Sequence, residues 1–250
     1  MTCRTHAAIA LPCTLAVCLL LPGCASTPDF PPAAPSTGHR SPPAEREFRA
    51  SDLAKSDIDV AAEVHLRECL ASSRLLMEKL YRRNPREWRK GGYASLDAAV
   101  ARAFDPHAEF RFAELGNVRG ADAVLLSLRP DYTGDRVFAF GVGLSSMVFL
   151  SFNGKTALYM TDVLDAQKLY NAARNIELAA WKLANARDAH GEPLLLSNET
   201  RGDVSNLSFE REFGKMIAYE DAMAQIAAQR TNRTIRKVVQ TLATALFLPI

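Results

Sequence analysis

The sequence lacks a strong excess of charge, because its 30 Lys and Arg residues nearly balance its 28 Asp and Glu residues, for a formal net charge of +2. This balance gives no general reason to expect a nucleic-acid ligand. Glycine accounts for only 13 of 250 residues, which excludes a collagen-like fibre. Hydrophobic residues make up 48% of the chain, which excludes a disordered one. The length predicts one domain of ordinary size with a tail.

Several catalytic and cofactor signatures are missing. The chain has no Gly-x-Ser-x-Gly motif, which a hydrolase serine of that type needs. Gly154-Lys155-Thr156 is similar to the end of a phosphate-binding loop, but Phe149 stands where such a loop needs a glycine. The histidines beyond the N-terminus show no metal-ligand spacing; they are His39, His65, His107 and His190. We therefore expect no cofactor and no metal site.

Cysteine is scarce beyond the N-terminus. Four of the five cysteines fall within the first 24 residues, and only Cys69 follows them. A body with one cysteine cannot form an internal disulfide. Because Cys69 lies on the apolar stripe of a predicted helix, we expect it to be buried.

The N-terminal sequence is typical of an export signal. Arg4 supplies a positive start, and an apolar run extends from Ala7 to Leu21. This run is shorter than the roughly 20 residues of a permanent membrane helix. It ends in Leu21-Pro22-Gly23-Cys24, which resembles the lipobox of bacterial lipoproteins, with Pro22 where that family usually has a small or β-branched residue. An ordinary secretory signal and an uncut anchor are the alternatives.

The resemblance to bacterial lipoproteins implies a signal peptide over residues 1–23 and a lipid on the thiol of Cys24. It implies a cell-envelope location in which the membrane is a partner through this lipid. Ala25, rather than an aspartate, follows the cysteine, which in that family implies the periplasmic face of the outer membrane rather than the inner membrane. We expect residues 24–50 to form a disordered tether, because six prolines between residues 25 and 44 should keep the chain extended.

Residues 51–250 show the periodicity of helices. The first predicted helix extends from about Ser56 to Pro85, and shorter helices begin at Ser95 and after Gly120. Residues 157–187 carry the longest helical pattern, and two more helices close the chain, the second after Thr231. The sequence thus predicts an all-α fold, an irregular bundle of about six or seven helices.

Two stretches within this body stand out. Val137–Phe152 is strongly apolar and predicts a core helix that Asn153-Gly154 would close. The same dipeptide between apolar runs also indicates a turn, so a small β-hairpin at residues 147–160 is the alternative. The run Leu164–Glu177 is unusually polar for a helix that must pack. It is similar to uncharacterised lipoproteins of Gram-negative bacteria, which implies a compartment but no chemistry.

Two segments are candidate contact surfaces. The first gathers basic side chains around a tryptophan: Arg82, Arg83, Arg86, Trp88, Arg89 and Lys90. Arginine binds phosphates and tryptophan settles at membrane interfaces, so this segment predicts contact with lipid headgroups or an acidic partner. A solvated helix end with Trp88 packed on the body is the alternative. In the second, Arg233, Arg236 and Lys237 precede the apolar Val238–Ile250, which predicts an amphipathic docking helix or the last core helix.

The missing catalytic motifs favour a non-enzymatic function. The leading interpretation is a lipid-anchored envelope protein that serves as an assembly, scaffold or adaptor component with an envelope protein as partner. One alternative is a helical module that binds a lipid or another apolar ligand near Val137–Phe152. Another is an envelope enzyme with a site dispersed in sequence, in which Asp162, Asp165, Glu177 or a histidine would gather in a cleft.

Overall fold

The structure, a computed structural model, describes residues 54–199, 206–238 and 241–250. The predicted signal peptide, Cys24 and the tether lie outside these ranges. Within them the secondary structure is helical, with seven α-helices and only isolated β-bridges, so the predicted all-α bundle is confirmed. The helices are α1 (Asp57–Arg83), α2 (Glu87–Lys90), α3 (Leu96–Ala103), α4 (Ala121–Ser127), α5 (Arg136–Ser151), α6 (Ala166–Asn185) and α7 (Ser208–Thr231).

Polar side chains fix the first turns of α1 and α3. At the start of α1, the Asp59 N–H donates to the Ser56 hydroxyl at 3.3 Å, and the Ser56 N–H donates to the Asp59 carboxylate at 2.8 Å. Ser95 accepts from the Ala98 N–H at 3.1 Å and begins α3, as its place in the sequence predicts. These caps satisfy backbone donors that the first helical turn leaves without a partner.

Helix α5 forms the centre of the bundle. Every residue of this helix except Leu150 is buried, which confirms the prediction of a core helix here. A helix that is apolar all round has to be covered on all sides, and α1, α2, α3, α4 and α6 pack against it. The hydroxyls of Ser73 and Ser145 lie 2.7 Å apart and join α1 to α5. Cys69, also on α1, is fully buried as expected.

The close approach of α4 to α5 depends on Gly143. A Cβ added there would lie 2.6 Å from the Val124 nitrogen and 2.8 Å from the Gly120 carbonyl oxygen. Both are backbone atoms, so a larger residue would force the two helices apart. The Gly120 N–H also donates to the Ser146 hydroxyl at 2.7 Å, which joins the start of α4 to the same part of α5.

The alternative hairpin at residues 147–160 does not form. Helix α5 continues to residue 151, and Asn153 and Gly154 follow it with φ values of 59° and 68°. The Gly154 N–H donates to the Phe149 carbonyl at 2.9 Å and closes the last turn. The Asn-Gly dipeptide therefore ends a helix instead of joining two strands.

The helix predicted over residues 157–187 begins later than its pattern suggests. Asp165 accepts from the Gln167 N–H at 2.8 Å, so α6 begins at Ala166. Before it, the Asp162 carboxylate accepts from the Tyr159 N–H at 3.0 Å and holds a turn. Aspartates that bind nearby backbone donors favour caps and turns over helix interiors, which explains the late start.

The sequence did not predict the shortest helical elements. Helix α2 has four residues and a 3-10 turn at Ala113–Leu115 has three, too few for a periodic pattern to appear. None of the helices in the described ranges combines the length and apolar character that a membrane crossing requires.

Candidate functional site on helix α6

Helix α6 carries amide side chains at positions where a packed helix normally carries apolar ones. Gln167, Asn171 and Asn175, which we call the amide ladder, follow one another at intervals of four residues and share one face. Asn171 and Asn175 are buried, with 6% and 1% of their surface exposed. Buried amides need hydrogen-bond partners, and here the partners come from the C-terminus of the chain.

The segment on the ladder is a C-terminal strap, which we define as residues 233–238 and 241–250. Helix α7 ends at Thr231, and the φ of 52° at the capping residue Asn232 turns the chain out of the helix. The strap contains no α-helix, so the prediction of a last helix after Thr231 is wrong. The physical reason is that side chains of α6 bind main-chain groups of the strap which a helix would pair internally.

Two ladder residues bind the strap through paired hydrogen bonds. Asn175 accepts from the Leu248 N–H at 2.7 Å and donates to the Leu248 carbonyl at 2.9 Å. Gln167 accepts from the Arg236 N–H at 2.8 Å and donates to the Arg236 carbonyl at 3.1 Å. A side-chain amide presents a donor beside an acceptor, so it matches the N–H and C=O of a single residue. These contacts recognise the main chain and not the side chains of Leu248 and Arg236.

Asn171 and Tyr170 complete the contact. Asn171 donates to the Pro249 carbonyl at 2.8 Å and accepts from the Gln167 side chain at 2.9 Å, so the ladder is also bonded within itself. The Tyr170 hydroxyl accepts from the Val238 N–H at 3.2 Å. The polar run that looked anomalous in the sequence is thus explained by a bound segment of main chain.

A cavity of about 300 Å³ opens between α6 and the strap. Leu178 and Leu246 line it together with Arg174 and Glu177. Arg174 donates to Asp221 on α7 at 2.6 Å and lies 3.2 Å from Glu177, whose pKa is raised by burial. Leu246 is 78% exposed. The strap is therefore held by its backbone while much of its apolar surface stays uncovered.

A second cleft, of about 430 Å³, lies at the start of α5. Asp135 caps this helix by accepting from the Phe138 N–H at 2.9 Å, and the Tyr81 hydroxyl donates to its other oxygen at 2.8 Å. Burial raises the pKa of Asp135 to about 6. Tyr93 and Tyr132 line the same cleft. A carboxyl of this kind beside aromatic hydroxyls can bind a polar ligand or exchange a proton.

The basic segment Arg82–Lys90 spans the end of α1 and all of α2. Trp88 is partly buried against the core, with the Arg89 guanidinium 4.8 Å from its ring centroid. Arg83 donates to Glu199 at 3.2 Å. The exposed basic residues are Arg82, Arg86, Arg89 and Lys90. Contact of this segment with lipid headgroups or an acidic partner stays a prediction.

Of the residues considered for acid–base chemistry, Asp162 and Asp165 lie just before α6 and Glu177 lies within it. Asp165 and Glu177 are roughly 18 Å apart along the axis of this helix. Asp162 holds the turn before that helix and pairs with Lys155. In the ranges that the structure describes, no group of three His, Cys, Asp or Glu residues is placed to hold a metal ion.

Comparisons with known proteins give no match: no family model, curated protein or solved structure matches this chain.

Proposed function

We propose that this chain is a lipid-anchored component of a bacterial cell envelope that acts in assembly or as an adaptor, without catalysing a reaction. The location is supported by the lipobox-like Leu21–Cys24 and by the proline-rich tether that follows it. We assign the anchor to the periplasmic face of the outer membrane because Ala25 follows Cys24.

The amide ladder is the observation that carries the assembly role. Its paired hydrogen bonds hold a polypeptide segment by the main chain at two points, Arg236 and Leu248. Main-chain hydrogen bonds are a recurring source of affinity when one protein binds an extended segment of another. A face built in this way is suited to a protein partner.

Photocross-linking in intact cells tests the assembly role. A photoreactive residue in place of Leu246, which is exposed beside the ladder, should capture an envelope protein at near-stoichiometric yield. The matched control carries the same residue in place of Leu125, which is exposed on α4, and should capture little. Equal capture at both positions, or capture at neither, would reject the assembly role.

The lipid anchor has a separate test. Cys24→Ser should abolish labelling with palmitate and release the protein from the membrane fraction, because the thiol is the acceptor of the lipid. Cys69→Ser is the matched control and should change neither property, since Cys69 is buried in the helical body. Unchanged labelling of the Cys24→Ser protein would reject the anchor.

Binding of a small ligand is the second candidate function, and the cleft beside Asp135 favours it. Its lining joins aromatic rings to a desolvated carboxyl, a combination that small-molecule sites commonly use. Native mass spectrometry of the full-length protein from cells should then show a bound molecule whose occupancy falls in Asp135→Asn. A protein without a bound molecule, or one unaffected by the substitution, would reject this site.

A further inference from the structure

We propose that the C-terminal strap is exchanged between copies of this chain, so that the amide ladder of one copy holds the strap of another. This inference rests on the proposed assembly function and names a second copy as the partner. In the structure the strap lies on α6 of its own chain. The same contacts can form between two chains, as in other exchanges of a terminal element.

The ladder itself does not distinguish its own strap from another. Asn175 and Gln167 bind the N–H and C=O of Leu248 and Arg236, and these groups are identical in every copy. The strap is a segment that fits this face, with the Pro249 carbonyl accepting from Asn171. A second copy supplies the same main-chain groups in the same order, so it needs no new complementary surface.

The chain has a suitable hinge between α7 and the strap. Asn232 lies at the end of α7 in the left-handed conformation, with a φ of 52°. The hydrogen bonds from the strap to the ladder and to Tyr170 all end on α6, and beside the hinge the Arg233 N–H donates to the Ala228 carbonyl of α7 at 3.0 Å. Residues 233–250, at about 3.3 Å per extended residue, could reach roughly 60 Å. A change of backbone angles near Asn232 could therefore place the strap on a neighbouring copy.

The strap is incompletely packed on its own chain. Phe247 and Ile250 lie partly buried against the core, but Leu246 is 78% exposed and Leu242 is 39% exposed. Both leucines also line the cavity of about 300 Å³. Exposed apolar side chains in a cluster mark surfaces that another protein covers.

The proposed lipid anchor favours exchange. Copies that are tethered to one membrane are confined to a thin layer, which raises their effective concentration relative to one another. The strap bonds are the same within and between chains, so this effective concentration decides the balance between them.

Co-expression of two differently tagged full-length chains tests the exchange. The donor carries Asn175→Leu, which removes both hydrogen bonds to Leu248 from its own ladder, and a photoreactive residue in place of Leu246. The acceptor carries Leu248→Pro, which removes the N–H that Asn175 binds but leaves its ladder intact. Irradiation in intact cells should give a donor–acceptor adduct that peptide mapping places on α6 of the acceptor.

The control acceptor carries Asn175→Leu in addition to Leu248→Pro. Loss of two hydrogen bonds predicts about a tenfold lower adduct yield. Equal yields with the two acceptors would overturn the exchange. If Asn175→Leu does not accumulate, Gln167→Leu replaces it and breaks the pair to Arg236 instead. An adduct with a different envelope protein alone would overturn the exchange and keep the assembly role, whereas no adduct with any protein would overturn both.

Discussion

Replacement of Glu220 by Gln should make the folding stability of this protein less sensitive to rising pH. Glu220 lies on α7 with none of its surface exposed, and burial raises its pKa well above the ordinary value of 4.5. Its contact across the bundle is the Ser151 hydroxyl, 3.1 Å from both carboxyl oxygens. The Ser151 hydroxyl is also 2.7 Å from the Val148 carbonyl.

The hydrogen-bond geometry is compatible with the protonated form of Glu220, which burial favours. A serine hydroxyl has a single hydrogen, and the shorter contact gives it to the Val148 carbonyl. The Ser151 oxygen can then accept a hydrogen bond through its lone pairs, and the O–H of a protonated Glu220 can donate that bond. The side-chain amide that Glu220→Gln introduces would donate an N–H to the same oxygen, so this substitution reproduces the protonated form without a titrating proton.

The sign and the size of the effect follow from proton linkage. Above about pH 4.5 the unfolded chain loses the Glu220 proton while the folded chain keeps it. The free energy of unfolding of the wild type therefore falls by about 1.4 kcal/mol per pH unit until the pH reaches the pKa of the folded state. Gln has no proton to lose, so the stability of Glu220→Gln relative to the wild type should rise by the same amount.

Urea denaturation followed by circular dichroism, at about pH 5, 6 and 7, measures this difference. Glu78→Gln on α1 is the control for loss of a partly exposed carboxylate that faces Arg74. Because the Glu78 side chain reaches solvent, this control should not reproduce the pH-dependent gain expected of Glu220→Gln. Parallel pH profiles for the wild type and Glu220→Gln would contradict this prediction, because they would mean that Glu220 titrates alike in the folded and unfolded states.

Three further predictions concern single positions. In thermal denaturation, Gly143→Ala should destabilise the folded protein by about 1–3 kcal/mol, because its Cβ would meet the backbone of α4. Gly214→Ala has open space at that point and should stabilise the folded protein by about 0.5–1 kcal/mol. The reverse order of stabilities would contradict this prediction. Burial raises the pKa of Asp135 to about 6, so the wild type should lose about 3 kcal/mol of stability between about pH 4 and pH 6. Asp135→Asn should remove this loss, which urea denaturation measures. An unchanged pH profile of stability would contradict the prediction. Burial also raises the pKa of the Cys69 thiol, so maleimide should label it only after unfolding, and rapid labelling of the folded protein would contradict its place in the core.

Local signals in the sequence were enough to predict much of the bundle. The apolar stripe that includes Cys69 places α1 correctly, since it depends on residues within a few turns of one another. The uniformly apolar Val137–Phe152 likewise predicts the central helix. The strap could not be predicted in this way. Its apolar pattern is compatible with a helix, and what prevents the helix is a set of contacts such as that between Asn175 and Leu248, which are 73 residues apart.

The candidate site was visible in the sequence only as an anomaly. The run Leu164–Glu177 is too polar for an ordinary packed helix, but the partner of its amides is main chain, which has no signature of its own in a sequence. The spacing of Gln167, Asn171 and Asn175 by four residues is the signal that could have indicated a bound extended segment. The burial of Glu220 could not be predicted from the sequence either. Glu220 and Asp221 are adjacent acidic residues, and nothing in the sequence distinguishes the buried one from Asp221, which forms a salt bridge with Arg174.

The buried polar groups of the core and those of the amide ladder differ in how they gain access to water, and this difference bears on strap exchange. Glu220 and Ser151 lie inside the bundle, so only unfolding brings water to them. The ladder residues Asn171 and Asn175 bond to the strap, so its departure would expose these amides to water, which could replace the lost partners. Release of the strap therefore exchanges one set of hydrogen bonds for another while the core around α5 keeps its contacts. A body that can lose a segment in this way can also accept the same segment from a neighbouring copy.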